Sequence, residues 1–331
     1  MKNMKLYGET VGQGEKKNIW AEVASYPDGT PIGVWVRAVK GVKEGPNLAL
    51  LGAQHGDEYS GIEIINKIID KVDLQELSGC ILAVPVSNPL AFNTTYRITP
   101  PSIGYEHLNM NRVWPGNPKG LLTERIAASL WEVLVKDCDV VLDMHEGGKA
   151  FMARYIHARG TEETDRRVGE KNRQLYEWFG QGVPVLGGIR TQSYMMGSLS
   201  IQTGIRDIPC IGIELGGGGR LWEDMVSVGV QGVWNIMIGL DMIQDELVGQ
   251  DVKQNVASES SWPKTSMGGL FTNTCTLNAE VEKNEKVGEL RNTVGELLEE
   301  LYAPYRSVIF DTRYQPTVYP GDWTVHCGKI S

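Results

Sequence analysis

The sequence contains no long hydrophobic run. Its longest candidate, residues 233–243, is short and is interrupted by Asn235 and Asp241, so we expect no membrane-spanning helix. The first 14 residues are polar and have no apolar core, which predicts that no signal peptide is present. Blocks of Lys and Arg are also missing, and the net charge is −9. Nucleic acid and anionic membrane surfaces are therefore excluded as expected partners.

Cysteine is scarce, and the spacing of the cysteines shows no paired motif. The five cysteines are odd in number and far apart, and no Cys-x-x-Cys pair occurs among them: Cys80, Cys138, Cys210, Cys275 and Cys327. This spacing argues against a disulfide scaffold or a zinc site built from cysteines and favours reduced thiols in a cytoplasmic protein. Cys138 and Cys210 have apolar neighbours, and we expect both of them in the core.

Short apolar runs alternate with longer segments of helical period along 331 residues, which predicts an α/β fold. The predicted strands are residues 33–39, 47–53, 80–86, 140–144 and 210–215, and the predicted helices are 62–72, 121–135, 161–179 and 226–247. Near residues 249–263, polar residues cluster and the helical period ends. We therefore predict a catalytic domain over residues 1–255 and a small all-β domain over residues 256–331.

A His-x-x-Glu pair directly follows the second predicted strand. His55 and Glu58 are three residues apart, so a first helical turn would place both side chains on the same side, whereas Asp57 would point elsewhere. A lone His-x-x-Glu also occurs by chance on surface helices, so the pair needs a further ligand. His145 is the best candidate among the histidines, because it ends a buried-looking strand. Two histidines, one glutamate and a water form a known catalytic zinc set.

Other polar residues lie in similar strand-end positions. Asp143 is two residues before His145, on the same strand face, where it could orient the imidazole ring. Glu214 lies between apolar residues and before four glycines, and beside a metal-bound water it could act as a general base. No Gly-Lys-Ser/Thr follows those glycines, so we reject nucleotide binding. The remaining histidines, His107, His157 and His326, fit a polar surface or a hydrogen-bonded core.

The segment between the second and third predicted ligands supplies cations. Asn111 and Arg112 lie in a loop bounded by Pro and Gly, and such a pair suits an anionic substrate group. Arg97 could stabilise an oxyanion. The alternative is that these arginines are solvated or pair with local acids such as Glu106.

In this order, these motifs resemble those of the succinylglutamate desuccinylase/aspartoacylase family and its bacterial N-acyl amino acid deacylase branch. The motifs are His55-Gly56-Asp57-Glu58, Asn88-Pro89, Arg97, Asn111-Arg112, Asp143-Met144-His145 and Ile213-Glu214-Leu215-Gly216. The resemblance covers nearly the whole chain. It implies a zinc-carboxypeptidase-like mixed sheet flanked by helices, with a carboxy-terminal β domain. Asn109 departs from the family pattern, which more often has Asp at this position.

The resemblance implies roles for the candidate residues. One Zn²⁺ per chain would be bound by His55, Glu58 and His145. Glu214 would act as the base and Arg97 as the oxyanion partner, and Asn111 with Arg112 would bind the substrate carboxylate. The expected reaction is hydrolysis of a small N-acyl amino acid or related amide by a homo-oligomeric protein. A metallocarboxypeptidase acting on peptides and a non-catalytic small-molecule binder on the same fold remain the alternatives.

Overall fold

The computed structural model describes residues 3–103, 106, 108–189 and 195–331. The strands are β1 (Met4–Leu6), β2 (Glu9–Val11), β3 (Glu15–Ser25), β4 (Pro31–Lys40), β5 (Lys43–Leu51), β6 (Ser78–Val84), β7 (Val140–His145), β8 (Phe151–His157), β9 (Val185–Leu186), β10 (Cys210–Gly217), β11 (Val256–Ala257), β12 (Ser260–Ser261), β13 (Gly269–Asn273), β14 (Glu280–Val281), β15 (Lys286–Arg291), β16 (Leu297–Tyr302), β17 (Ser307–Arg313), β18 (Thr317–Val318) and β19 (His326–Lys329). The helices are α1 (Ser60–Lys71), α2 (Pro89–Phe92), α3 (Leu122–Leu130), α4 (Glu162–Phe179), α5 (Leu199–Gly204) and α6 (Glu223–Gly239).

One mixed sheet of 13 strands organises these elements. Its main path runs β12-β19-β17-β8-β10-β7-β5-β6-β4-β3. The four central strands β10, β7, β5 and β6 are parallel, and the strands on both sides of them run antiparallel to their neighbours. The five predicted strands correspond to β4, β5, β6, β7 and β10, with ends shifted by a few residues. The predicted α/β class is confirmed.

Helices cover both faces of the sheet. Helix α1 buries four isoleucines against α6 and the sheet: Ile64, Ile65, Ile68 and Ile69. Helix α4 begins at the predicted position, where the Thr161 side chain accepts a hydrogen bond from the Thr164 amide. The predicted helix over 121–135 forms α3 and continues as a π-helical turn, Trp131–Val135. The predicted helix over 226–247 is wrong at its end, because α6 ends at Gly239 and Asp241 adopts a positive φ of 56°.

Side chains along β7 alternate between the two faces of the sheet. Val140, Leu142 and Met144 pack into the cluster that contains α1 and α6. Val141 faces the opposite cluster, and Asp143 and His145 continue that same face toward the strand's carboxyl end. The polar residues therefore lie on one face of the sheet.

The carboxy-terminal region is all β, as predicted. Strands β16, β15, β13 and β18 form a separate four-stranded sheet around a core that includes Phe271, Val287 and Leu290. Other strands of this region join the large sheet, because β17 pairs with β8 and β19 pairs with β17. The boundary between residues 255 and 256 stays a prediction.

Cys138 and Cys210 are buried, as expected. Within the described ranges, no helix is long and apolar enough to cross a membrane.

Gly56 lies where the loop after β5 packs tightly against α2. Its amide donates to the Tyr96 carbonyl oxygen at 3.0 Å, and a Cβ at position 56 would lie 2.1 Å from the Ala91 carbonyl carbon. That distance is far below van der Waals contact, so we expect Gly56→Ala to lower the free energy of unfolding by about 1–3 kcal/mol. Chemical denaturation measures this change.

The matched control is Gly187→Ala, because the nearest atom to a Cβ there is 3.9 Å away. This variant should unfold within about 0.5 kcal/mol of the wild type. Equal stability of the Gly56→Ala and Gly187→Ala proteins would contradict the close packing of this loop.

Candidate metal centre and active site

Three buried side chains converge beyond adjacent strands of the large sheet. His55 Nδ1 lies 2.7 Å from Glu58 Oε1, and His145 Nδ1 lies 2.8 Å from Glu58 Oε2. One potential ligand atom from each of the three residues lies within 4.8 Å of the others. His55 follows β5 and His145 ends β7, and these two strands are parallel neighbours. Their carboxyl ends therefore meet at the same edge of the sheet.

The predicted local structure around His55 and Glu58 is wrong. Both residues lie in the loop before α1, which begins only at Ser60, and not on the first helical turn. The chain adopts a positive φ of 44° at Ala53 and packs Gly56 against α2, so it cannot enter a helix at residue 55. A turn closed by a 3.4 Å hydrogen bond from the Glu58 amide to the His55 carbonyl oxygen brings the two side chains together.

The outer nitrogen of each imidazole has its own polar partner. His145 Nε2 lies 3.0 Å from Asp143 Oδ2, and His55 Nε2 lies 3.1 Å from Asn109 Oδ1. Both Nδ1 atoms therefore face Glu58. Asn109, which departs from the family pattern, keeps an oxygen acceptor beside His55.

Asp143 is in turn fixed by a buried pair of side chains. The Gln54 amide donates to Asp143 Oδ1 at 2.5 Å, and the Trp114 indole donates to Gln54 Oε1 at 2.7 Å. Such outer contacts fix the tautomer and the orientation of metal-binding histidines.

This donor set fits a divalent metal ion. Zinc binds imidazole nitrogens and carboxylate oxygens at about 2.0–2.2 Å, and catalytic sites use three protein ligands. The three residues are buried, their ligand atoms are close together, and the Nε2 atoms are directed away from the cluster toward other partners. A buried Glu between two imidazoles would otherwise be a costly arrangement.

Burial and mutual charge shift the pKa values in this cluster. Burial would raise the pKa of Glu58, but His55 and His145 hold it well below its usual value. Glu214 lies beside His145 in register on β10. Burial, together with the negative charges of Glu58 and Asp311, raises the pKa of Glu214 to about 8, although His145 and Arg97 oppose the shift. The Glu214 carboxyl group is thus suited to carrying a proton near neutral pH.

The predicted substrate-binding residues line the same cavity, which has a volume of about 380 Å³. Arg97 Nη1 donates to Glu58 Oε1 at 2.8 Å, while half of the arginine side chain is exposed. Asn111 Nδ2 lies 3.0 Å from His145 Nε2, and its Oδ1 accepts from the Leu199 amide at 2.9 Å. Arg112 donates to the Asn111 carbonyl oxygen. The structure therefore brings together all seven residues predicted for the site.

Sequence reasoning missed other residues that line the cavity. They come from β8, from the segment after it and from the carboxy-terminal region: Tyr155, His157, Arg159, Trp262, Trp323 and His326. His157 and His326 therefore face the cavity, although neither was assigned to the site. Polar or aromatic residues at every second position from 155 to 159, in β8 and just after it, were the available signal. His107 lies outside the described residues, and Asp57 instead accepts from the Lys149 amide.

Asp143 provides a test of the metal centre. Asp143→Asn removes the negative charge beside His145 Nε2 and allows the imidazole to rotate, so we expect the affinity for a divalent metal to fall about 10- to 100-fold. Competition with a chromophoric chelator measures this affinity. The control is Asp137→Asn, which removes the same charge at an exposed position near the start of the same strand. Wild-type affinity in the Asp143→Asn protein would show that this contact does not support the metal centre.

Two known proteins are similar to this chain over most of its length. The chain is 28% identical over 292 residues to the N-alpha-acetyl-L-2,4-diaminobutyric acid deacetylase of Halomonas elongata, and the match covers 84% of this chain and 81% of that protein. It superposes on a succinylglutamate desuccinylase from Silicibacter sp. TM1040 with a TM-score of 0.82 at 21% identity, over 100% of both chains.

The fold is also similar to that of a more distant protein. A metallo-carboxypeptidase from Burkholderia cenocepacia superposes with a TM-score of 0.51 at 15% identity, over 68% of this chain and 65% of that one. The predicted zinc-carboxypeptidase-like fold is therefore confirmed. The sequence model of the succinylglutamate desuccinylase/aspartoacylase catalytic domain matches residues 44–240, more than half of the chain. The chain belongs to the succinylglutamate desuccinylase/aspartoacylase family.

Proposed function

We propose that the protein is a zinc-dependent amidohydrolase that cleaves a small N-acyl amino acid into a carboxylic acid and an amine. The observation that carries this proposal is the position of Glu214 next to His145, in one cavity with His55, Arg97 and Arg112. A cavity of about 380 Å³ suits a small molecule.

His55, Glu58 and His145 would bind the zinc ion. When bound, zinc lowers the pKa of a coordinated water and polarises a carbonyl group. The protein contributes rigid ligands, because Asn109 and Asp143 hold the outer imidazole nitrogens.

Glu214 would move the protons of the reaction. Its carboxylate would accept a proton from the attacking water, and the resulting carboxylic acid would donate that proton to the departing nitrogen. A raised pKa, about 8 in this structure, favours the second of these transfers at neutral pH. Without a proton, the nitrogen would have to leave as an amide anion, which is a poor leaving group. The proton from Glu214 is therefore required for cleavage of the C–N bond.

The arginines would handle the negative charges of the substrate. Arg97 is half exposed and already lies against Glu58, so its guanidinium can reach the oxygen on which charge develops. Arg112 would bind the substrate carboxylate, with Asn111 beside it. Asn111 also bonds to His145 and to the start of α5, which would link the carboxylate site to the metal ligands.

The relative from Halomonas elongata supports an acyl amino acid as the substrate class, since its name specifies a deacetylase of an acetylated amino acid. The odd number and wide spacing of the cysteines suit a cytoplasmic location. This location and a homo-oligomeric assembly remain parts of the proposal.

The proposed mechanism predicts the effect of removing the carboxylate at position 214. The zinc-loaded wild type should release acetate from N-acetyl amino acids. Glu214→Gln should lower kcat by about 10²- to 10⁴-fold, because the amide cannot transfer the proton. Acetate release measures turnover, and mass spectrometry of the metal should show unchanged zinc content.

Glu132→Gln, on an exposed position of the π-helical turn, is the matched control and should keep wild-type turnover. Near-normal activity of Glu214→Gln would refute the mechanism. Release of carboxy-terminal residues from peptides, without acetate release, would favour the metallocarboxypeptidase. Failure to bind zinc would favour the non-catalytic binder.

A further inference from the structure

Ser198 lies in a segment that packs against the loop of Asn111 and Arg112. A Cβ at position 197 would lie 1.9 Å from the Arg112 carbonyl oxygen, so the chain at Gly197 runs directly against this loop. On the other side of Ser198, the Leu199 amide donates to Asn111 Oδ1 at 2.9 Å. Contacts on both sides therefore hold Ser198 beside the two residues that would bind the substrate carboxylate.

The hydroxyl group of Ser198 is buried and has no hydrogen-bond partner among the described residues. Only 2% of the residue is exposed, and it lines the cavity that contains Glu214. Ser198 is the N-cap residue of α5, where a serine side chain ordinarily accepts a hydrogen bond from an amide of the first helical turn. The Ser198 side chain makes no such bond. Buried hydroxyl groups are normally paired, so this one is arranged to contact a ligand in the cavity.

Both polar atoms of the Asn111 side chain already contact the protein. Its Oδ1 accepts from the Leu199 amide, and its Nδ2 lies 3.0 Å from His145 Nε2 and 3.4 Å from Asp143 Oδ2. Asn111 therefore ties its loop to α5 and to a metal ligand. The Ser198 hydroxyl is a neighbouring group that can donate to a ligand without giving up a contact within the described part of the chain.

The charges that line the cavity favour an anion beside Ser198. The ionisable lining residues are three arginines, two carboxylates and four histidines: Arg97, Arg112, Arg159, Asp143, Glu214, His55, His145, His157 and His326. Asp143 and Glu214 both lie next to His145, at the metal end. Arg112 instead lies against the segment that carries Ser198. A ligand group between these two residues meets a guanidinium and a hydroxyl, and both of these donors suit a carboxylate.

We propose that Ser198 binds the substrate by donating a hydrogen bond from its hydroxyl group to the carboxylate at Arg112. This inference rests on the proposed amide hydrolysis and adds a contact that neither Asn111 nor Arg112 supplies. Because the hydroxyl is buried, it reaches only a ligand that has entered the cavity. A hydrogen bond to a charged group is stronger than one to a neutral group, so Ser198 helps to select a carboxylate at that end of the substrate.

The test measures Ser198→Ala with two substrates, N-acetylalanine and N-acetylalaninamide, which differ in the charge of one group. Loss of the hydrogen bond should raise the KM for N-acetylalanine about 10-fold and leave kcat within about threefold, because the contact is equally strong in the ground state and the transition state. The wild-type preference in kcat/KM for the acid over the amide should fall about five- to tenfold, because the neutral amide forms the weaker hydrogen bond. A purely structural role of Ser198 would instead change both substrates alike.

Ser87→Ala is the matched control, because Ser87 is also buried and its hydroxyl likewise has no partner within the described ranges. Ser87 does not line the cavity. This variant should therefore keep the wild-type KM for N-acetylalanine and the wild-type preference for the acid. Zinc content should be the same in both variants and in the wild type. Equal kinetic constants of the Ser198→Ala and Ser87→Ala proteins, or an equal loss with both substrates in Ser198→Ala, would overturn the inference.

A binding measurement separates this inference from the proposed function. Calorimetry uses the zinc-loaded Glu214→Gln protein, in which N-acetylalanine is not turned over at a significant rate. Addition of Ser198→Ala to this protein should weaken the binding of N-acetylalanine about 10-fold and that of N-acetylalaninamide much less. If the wild type hydrolyses neither compound while this binding difference appears, the proposed reaction fails and the carboxylate contact stands. Unchanged binding of N-acetylalanine after loss of the Ser198 hydroxyl would overturn the inference, whether or not the wild type releases acetate.

Discussion

The buried carboxylate of Glu58 is the constraint around which the site is built. A charge in the protein interior loses several kcal/mol of hydration unless close partners replace the water. Both of its oxygens are contacted, by His55 and Arg97 on one side and by His145 on the other. These partners come from a loop after β5, a loop after α2 and the end of β7, so the carboxylate ties together separate parts of the chain.

The parallel centre of the sheet makes this convergence possible. Strands β5, β7 and β10 are adjacent, and each one ends at the same edge. On β7 the residues that face α1 and α6 stay apolar, while Asp143 and His145 occupy the last positions of the opposite face. The strands of the carboxy-terminal region then widen the sheet beyond β8, so that Asp311 and His326 lie near Glu214. The cavity is thus lined both by parallel strands of the centre and by strands of the carboxy-terminal region.

Much of this arrangement could be predicted from local patterns. The strands that carry His145 and Glu214 are short apolar runs ending in polar residues, and such runs predict strand ends directly. The loop at His55 could not be predicted, because it is fixed by the contact of Gly56 with α2, far away in sequence. His326 was missed for a similar reason. Its place beside Tyr155 depends on the order of four strands, which no local pattern contains.

The central claim is that His55, Glu58 and His145 together bind one zinc ion. X-ray absorption at the zinc edge of the stoichiometrically loaded protein tests it most directly, with a His145→Ala protein measured beside it. The account predicts a first shell of nitrogen and oxygen atoms at about 2.0–2.2 Å, with multiple-scattering features of two imidazoles that fall to one in the variant. A shell that contains sulfur, or one that is unchanged by loss of His145, would contradict it.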